Sequence, residues 1–247
     1  MKRLISKWEK QIPTINGWLS LNNAFGAEIM SYAGFDSLTI DMQHGISDYS
    51  SLLPMLQVLK GIPCFVRVPW LEEGIIMKTL DAGAMGIICP MINHKEDALK
   101  LAKFCHYPPK GERSFGPIRA KFLCEGDYFI QHHLLILAMI ETKQALENLS
   151  DILSVDGIDG VYVGPADLSC ALGVAPRFDQ EEKIVLEAIQ MILSQAKRHK
   201  KYAGIHNLGA HYARKMADLG FNFVTIGSDA FFMLDGAKKA AEAFKFQ

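Results

Sequence analysis

Eight short, β-rich apolar runs recur along this chain, each separated from the next by a segment of helical spacing or by a polar loop. No other feature restricts the possible folds as much. The runs cover residues 17–22, 37–42, 63–69, 86–92, 134–141, 157–165, 202–206 and 221–228. Between them the spacing predicts helices over 24–33, 50–60, 73–82, 95–104, 142–153, 180–199 and 209–219, with a last one over about 230–244. Several runs are apolar nearly throughout, as in Leu134-Leu135-Ile136-Leu137-Ala138-Met139-Ile140, which suits strands covered on both faces. Alternating β and α elements build a parallel sheet, and eight such units in 247 residues is the ordinary size of one closed (β/α)8 TIM barrel of the α/β class. An open doubly wound sheet is the alternative, but the first βα turn lacks a Gly-rich dinucleotide fingerprint. No linker interrupts the pattern, so one barrel domain over 1–247 is expected, with 106–133 as an elaborated loop punctuated by Pro and Gly.

Composition narrows the class of function. With 49% hydrophobic residues the chain can bury a large core. Its 26 basic and 27 acidic residues leave a net charge of −1, with no dense basic run, so nucleic acid is not an expected partner. Residues 1–10 mix Lys, Trp, Ile and Glu without the apolar stretch of a secretory signal, and no later run reaches the length of a membrane span. A cytoplasmic protein is expected. The five cysteines, Cys64, Cys89, Cys105, Cys124 and Cys170, are scattered and show no Cys-x-x-Cys spacing, which speaks against a disulfide framework or a structural zinc site.

A barrel places its chemistry at the carboxyl ends of its strands, where the βα loops open. Polar residues gather there repeatedly. The second run ends in Ile40-Asp41-Met42-Gln43-His44-Gly45, the third in Val66-Arg67-Val68-Pro69-Trp70, the fifth in Met139-Ile140-Glu141-Thr142, and the sixth in Val163-Gly164-Pro165-Ala166-Asp167-Leu168-Ser169. Singly, each acid reads more readily as a helix cap or solvated loop residue, and His44 as a hydrogen-bonded core histidine. Arg67 sits within an apolar run and needs an anionic or strongly polar partner. Together the four groups make a chemically coherent rim. Glu141 and Asp167, from separate strands and without Cys or His nearby, form a hard oxygen pair suited to Mg2+ or Mn2+, with positions left for water and substrate oxygens. A 2-oxo acid would present its carboxylate to the backbone of the Gly164–Asp167 loop, its keto oxygen to Arg67 and a mobile proton to His44.

These residues carry a resemblance. The chain resembles the class II, metal-dependent HpcH/HpaI aldolase family, and within it the 4-hydroxy-2-oxo-heptanedioate (2,4-dihydroxyhept-2-ene-1,7-dioate) aldolase branch. The similarity covers nearly the whole chain. It rests on Tyr32-Ala33-Gly34-Phe35-Asp36, the Asp41 to His44 segment, Arg67 to Trp70, Tyr107-Pro108-Pro109 with Gly111 and Arg113, Ile140-Glu141-Thr142, and Gly164-Pro165-Ala166-Asp167-Leu168-Ser169. It implies a barrel of the phosphoenolpyruvate/pyruvate type, and reversible cleavage of a 4-hydroxy-2-oxo acid to pyruvate and an aldehyde through a pyruvate enolate. By that resemblance Glu141 and Asp167 hold a divalent metal (Mg2+, Mn2+ or Co2+), His44 accepts a proton, Arg67 stabilises the enolate, Ala166 contacts substrate through its backbone, and Asp81 raises the basicity of the histidine. Read from the residues alone, Asp81 is equally a polar helix end. The family's habit of assembly implies a homo-oligomer, a hexamer built as a trimer of dimers; if Arg113 or Arg119 of the long loop touches substrate, it does so in a neighbouring subunit.

The chain departs from the family pattern at two positions. Gln43 stands where many members have Glu, and Met139 where better-known members have a Gln that reaches the substrate. Both leave the particular substrate open. The same site could serve a 2-oxo-3-deoxy sugar acid or a malyl-type thioester, or could bind a metal and a 2-oxo acid without turnover.

Overall fold

The computed structural model describes residues 1–124, 128 and 133–245. Eight parallel strands close into a barrel in sequence order: β1 (Thr14–Leu19), β2 (Ser37–Asp41), β3 (Cys64–Arg67), β4 (Gly86–Cys89), β5 (Leu135–Ile140), β6 (Gly160–Val163), β7 (Tyr202–Asn207) and β8 (Phe223–Ile226), with β8 pairing back onto β1. Among the described residues the helices are α1 (Lys2–Glu9), α2 (Ala24–Ser31), α3 (Tyr49–Val58), α4 (Glu73–Asp81), α5 (Lys95–Cys105), α6 (Ile118–Phe122), α7 (Lys143–Glu147), α8 (Leu149–Leu153), α9 (Pro165–Ala171), α10 (Lys183–Arg198), α11 (Ala210–Leu219) and α12 (Asp229–Lys245). Among the described residues, no helix is long and apolar enough to cross a membrane.

The two-residue period of each strand sorts its side chains into two cores. In β5, Ile136, Ala138 and Ile140 face outward into the large core under the helices, whereas Leu135, Leu137 and Met139 fill the barrel. The interior also holds Phe65, Tyr162 and Phe223, and it is tight. Gly86 lies beside its register partner Phe65, and Gly204 lies between Tyr162 and Phe223, so a side chain at either glycine would collide with an aromatic ring. Helix α1, which the strand pattern did not anticipate, closes the amino-terminal end of the barrel. Its Leu4 and Trp8 are buried, and the Trp8 ring lies 4.8 Å from that of Tyr202 and 5.6 Å from that of Phe223.

Other boundaries move for local reasons. The first strand runs earlier than 17–22, because Thr14 and Asn16 are polar yet buried: Thr14 accepts from Trp8 Nε1 at 2.8 Å and Asn16 donates to Thr225 at 3.0 Å. The helix expected over 142–153 is two short ones meeting at Asn148, whose amide donates to the Asn93 and Gln144 carbonyls. The long loop contains α6, and its residues 125–127 and 129–132 lie outside the described residues. Three cysteines, Cys64, Cys89 and Cys105, are buried, and all five are free thiols.

Candidate active site

The period that fills the barrel also builds its mouth. One residue beyond Ile140, Glu141 faces inward above Met139. Gly164 follows Tyr162, Asp41 follows Thr39 and Arg67 follows Phe65 on the inward face of their strands. Asp41, Arg67, Met139 and Gly164 line a cavity of about 360 Å3, together with Trp18, His44, Ala166, Asp167, Phe178 and His206. The structure thus brings Arg67, His44, Gly164, Ala166 and Asp167 to one cavity, as the strand ends predicted. The almost fully buried Glu141 sits against Gly164 in its wall.

Arg67 finds its anion within the protein. Asp41 and Arg67 are register partners on β2 and β3, and the guanidinium makes a two-pronged contact, Nε to Asp41 Oδ1 at 2.8 Å and Nη2 to Oδ2 at 2.7 Å. Asp41 also accepts from the backbone N–H groups of Gln43 and Gly45, each at 3.0 Å, and from Trp18 Nε1 at 3.3 Å. Burial pushes the Asp41 carboxyl up, but the Arg67 hydrogen bonds and charge, with these further donors, outweigh it and hold the group below the usual carboxylate range. The Trp18 ring faces the guanidinium carbon at 4.8 Å. Clamped in this way, Arg67 has two of its three nitrogens committed to Asp41. The strand-end reading recognised that Arg67 needs a partner, but the pairing across two strands exists only once the barrel closes.

Glu141 is buried, and that burial, reinforced by the nearby charge of Asp167, raises its carboxyl to about 7, although the Met91 N–H and Arg67 act the other way. The Met91 N–H donates to Glu141 Oε1 at 2.7 Å from a left-handed backbone, φ 57°, which costs a non-glycine residue on the order of 1–2 kcal/mol. On the other side, Glu141 Oε2 packs against Gly164. A methyl group on Gly164 would lie 2.5 Å from that oxygen and 3.0 Å from Met139 Cε. Gly164→Ala is therefore expected to displace the carboxylate and lower activity by about tenfold to a hundredfold while leaving the melting temperature nearly unchanged. Parallel kinetics and thermal melts check this, and undiminished kcat/KM would contradict it.

The chemistry of the donor set fits a hard divalent cation. Glu141, buried and only part-ionised near neutrality, feels the charge of Asp167 from the next barrel segment, so a cation would relieve both its desolvation and that repulsion. Among the described residues no cluster of three or more His, Cys, Asp or Glu offers a rival, softer site. Gln43 Oε1, a neutral acceptor, is buried without a hydrogen-bond partner.

Other expectations are redirected. Asp81 ends α4 outside the residues lining the cavity, and its carboxylate is held by the buried Arg113, so within one chain it is not brought to His44. Arg113 is 1% exposed and stacks at 4.5 Å over Tyr107, and Arg119 donates to the carbonyls of Ala82 and Leu56. Within the chain, then, Arg113 is held by an acid of α4 and Arg119 by carbonyls at the ends of α3 and α4. His206, at the end of β7, went unremarked in the sequence. Its signal was parity: it lies two residues after Gly204, on the inward face.

Comparison with known proteins agrees with this geometry. The model of the family described as HpcH/HpaI aldolase/citrate lyase matches residues 15–235. A hydroxypyruvate/pyruvate aldolase of Rhizorhabdus wittichii is 42% identical over 233 residues, 93% of each chain. A 5-keto-4-deoxy-D-glucarate aldolase of Citrobacter koseri is 36% identical, covering 94% of this chain and 91% of that one. Among solved structures, an HpcH/HpaI aldolase/citrate lyase family protein from Burkholderia cenocepacia superposes with a TM-score of 0.92 at 25% identity, over 99% of this chain and 100% of that one.

Proposed function

Since the chain belongs to the HpcH/HpaI aldolase/citrate lyase family and is a carbon-carbon lyase, we propose that it is a metal-dependent aldolase that cleaves a 4-hydroxy-2-oxo acid to pyruvate and an aldehyde. The observation that carries this reading is the single cavity on whose wall Asp41-clamped Arg67, His44, Asp167 and the Glu141-packed Gly164 converge. Glu141 and Asp167 would hold the divalent cation (Mg2+, Mn2+ or Co2+), which when bound supplies Lewis-acid polarisation of the keto group. The substrate carboxylate lies against the backbone of Gly164 to Asp167 at the start of α9, with Ala166 as the contact. His44, at the cavity edge, takes the proton of the C4 hydroxyl. The C3–C4 bond breaks, the aldehyde departs, and the electron pair moves into the C2–C3 bond and toward the keto oxygen. Arg67, held rigid by Asp41, stabilises that charge without reorienting. A proton returned to C3 completes pyruvate.

The test is direct. Protein stripped with a chelator should regain pyruvate release from a panel of 4-hydroxy-2-oxo acids, including a 2-oxo-3-deoxy sugar acid, when Mg2+, Mn2+ or Co2+ is restored, and His44→Ala should stay inactive. Cleavage that survives chelation, or no turnover with any metal, would sink the reading. The panel also bears on the sugar-acid alternative, which the Citrobacter relative's name supports.

The reading includes assembly with further copies of the chain as a trimer of dimers. Helix α12 buries only Asp229 and leaves Met233, Leu234 and Phe244 exposed, apolar surface that another copy could cover. Sedimentation should give about six times the 27.5 kDa of one chain, and a 27.5 kDa species would contradict it.

A further inference from the structure

The β7 side of the cavity holds a polar group that the cleavage scheme leaves unused. His206 projects between Trp18, whose ring stands edge-on at 4.6 Å, and Phe178 at 4.9 Å. Leu208 and Gly227 line the same side, whereas Asp41, Arg67 and Asp167 supply the charged groups of the lining. Behind His206 runs a chain of polar side chains through the barrel interior. Asn16 Oδ1 accepts from Ser37 Oγ at 3.0 Å and Thr39 Oγ1 at 3.2 Å, and Asn16 Nδ2 donates to Thr225 Oγ1 at 3.0 Å. Thr225 Oγ1 and the Tyr162 hydroxyl are 2.6 Å apart, and that hydroxyl is 3.3 Å from His206 Nδ1.

Counting donors gives this chain a direction. Ser37 and Thr39 have no side-chain acceptor other than Asn16 among the described residues, so the Asn16 oxygen must face them and its NH2 must face Thr225. Thr225, already accepting from Asn16, spends its own proton on Tyr162. Tyr162 keeps its proton, because burial pushes its ionisation up, and the acceptor left for it is His206 Nδ1. The opposite polarity would leave the Thr225 proton unpaired inside the barrel, at a cost of about 1–3 kcal/mol. His206 therefore carries its proton on Nε2. Burial, followed by the charge of Arg67, lowers its pKa to about 3, so the ring is neutral across the physiological range.

We propose that His206, its tautomer fixed by the Asn16–Thr225–Tyr162 relay, is a specificity-determining residue that donates from Nε2 to a hydroxyl on C3 of the 2-oxo acid half of the substrate. A neutral N–H flanked by the Trp18 and Phe178 rings suits an uncharged oxygen, while the charged groups and the proposed cation draw the carboxylate and keto oxygens. The chemical class that this group favours is a 3-hydroxy-2-oxo acid donor such as hydroxypyruvate, which the same cleavage would release, in place of pyruvate, from the 3,4-dihydroxy members of the 4-hydroxy-2-oxo acids. The proposal rests on the aldolase reading above and adds a residue role to it. Tyr162 and Thr225 are positioning residues, acting through His206.

Three measurements on the full-length protein test it. In histidine-labelled protein, the 15N shifts that vanish in His206→Phe should report an Nε2–H tautomer, and Tyr162→Phe should disturb it. The ratio of kcat/KM for hydroxypyruvate to that for pyruvate, with one simple aldehyde as acceptor, should fall about tenfold to a hundredfold in His206→Phe and be partly restored in His206→Gln. Titration of each 2-oxo acid into Mg2+-loaded protein, followed by tryptophan fluorescence, should show the same change of preference in binding. An Nδ1–H tautomer in the wild type, or an unchanged preference in His206→Phe, would overturn the proposal. If the wild type turns over neither donor, the aldolase reading fails, and the tautomer measurement still decides the relay independently.

Discussion

Glu141→Ala is expected to reduce cleavage by a factor of about 10^3 or more and to weaken metal binding, because it removes one of only two anionic donors from the proposed cation site. Lewis-acid polarisation of the keto group is worth several kcal/mol, and each 1.36 kcal/mol is tenfold in rate. The fold should survive. With the metal absent, the wild-type carboxylate is a burden, since burial raises it to about 7. The sign follows from proton counting: between its unfolded value and about 7 the native protein binds the extra proton, so metal-free stability falls as pH rises through that window. At about 1.36 kcal/mol per pH unit the loss approaches roughly 3 kcal/mol. Glu141→Gln should flatten this dependence. Metal binding opposes it, so calorimetric titration of metal below pH 7 should show close to one proton released, detected as a heat that varies with the buffer's ionisation enthalpy, and little release well above pH 7. Full activity in Glu141→Ala, or metal binding without pH dependence across that range, would remove Glu141 from the site.

Asp41→Ala carries the second large effect, and it acts on stability and catalysis together. The carboxylate is 2% exposed and satisfies the two-pronged Arg67 contact, two close backbone N–H groups and the Trp18 indole. Removing one partner from a buried ion pair strands the other charge and costs about 3–5 kcal/mol. In a chain of this size that corresponds to a melting temperature lower by roughly 10 °C. Freed from its clamp, Arg67 would turn to water or to the substrate carboxylate, so kcat should fall by about a hundredfold. Asp41→Asn keeps the volume but turns one oxygen into a donor facing other donors, and should fall between wild type and Asp41→Ala in both measurements. For the wild type, a carboxyl held below its ordinary value contributes stability that is full above the unfolded carboxylate range and is lost as pH falls through the depressed value. Thermal melts and steady-state kinetics on the same preparations check these expectations. Unimpaired catalysis in Asp41→Ala would mean that the clamp is structural alone.

The exposed apolar face of α12 and the two intrachain loop arginines bear on a different level of organisation. Arg113 and Arg119 tie the long loop to α4 and to the end of α3, so the loop is built onto its own barrel. A loop is read from sequence as polar and irregular, but the partners of its charged groups depend on which helix ends lie beneath it.

The alternation of eight apolar runs with helical segments sufficed to determine the barrel, because secondary structure periods are local and a parallel strand covered on both faces leaves an apolar run. The same rule placed His44, Arg67, Glu141, Gly164, Ala166 and Asp167 on the strand-end rim, since a barrel opens its βα loops at one face only. Tertiary structure decided the rest. Asp41 meets Arg67 only through the β2–β3 register, and Met91 reaches Glu141 across fifty positions of sequence only through a left-handed turn. Asp81 belongs to Arg113 because α4 and the long loop pack together. His206 reads as the tail of an unremarkable strand until its parity turns it inward and a chain of the Asn16 amide on β1 and hydroxyls from β2, β6 and β8 sets its proton. Local sequence carries periods and strand ends, but a hydrogen bond between strands depends on a register that no single segment contains.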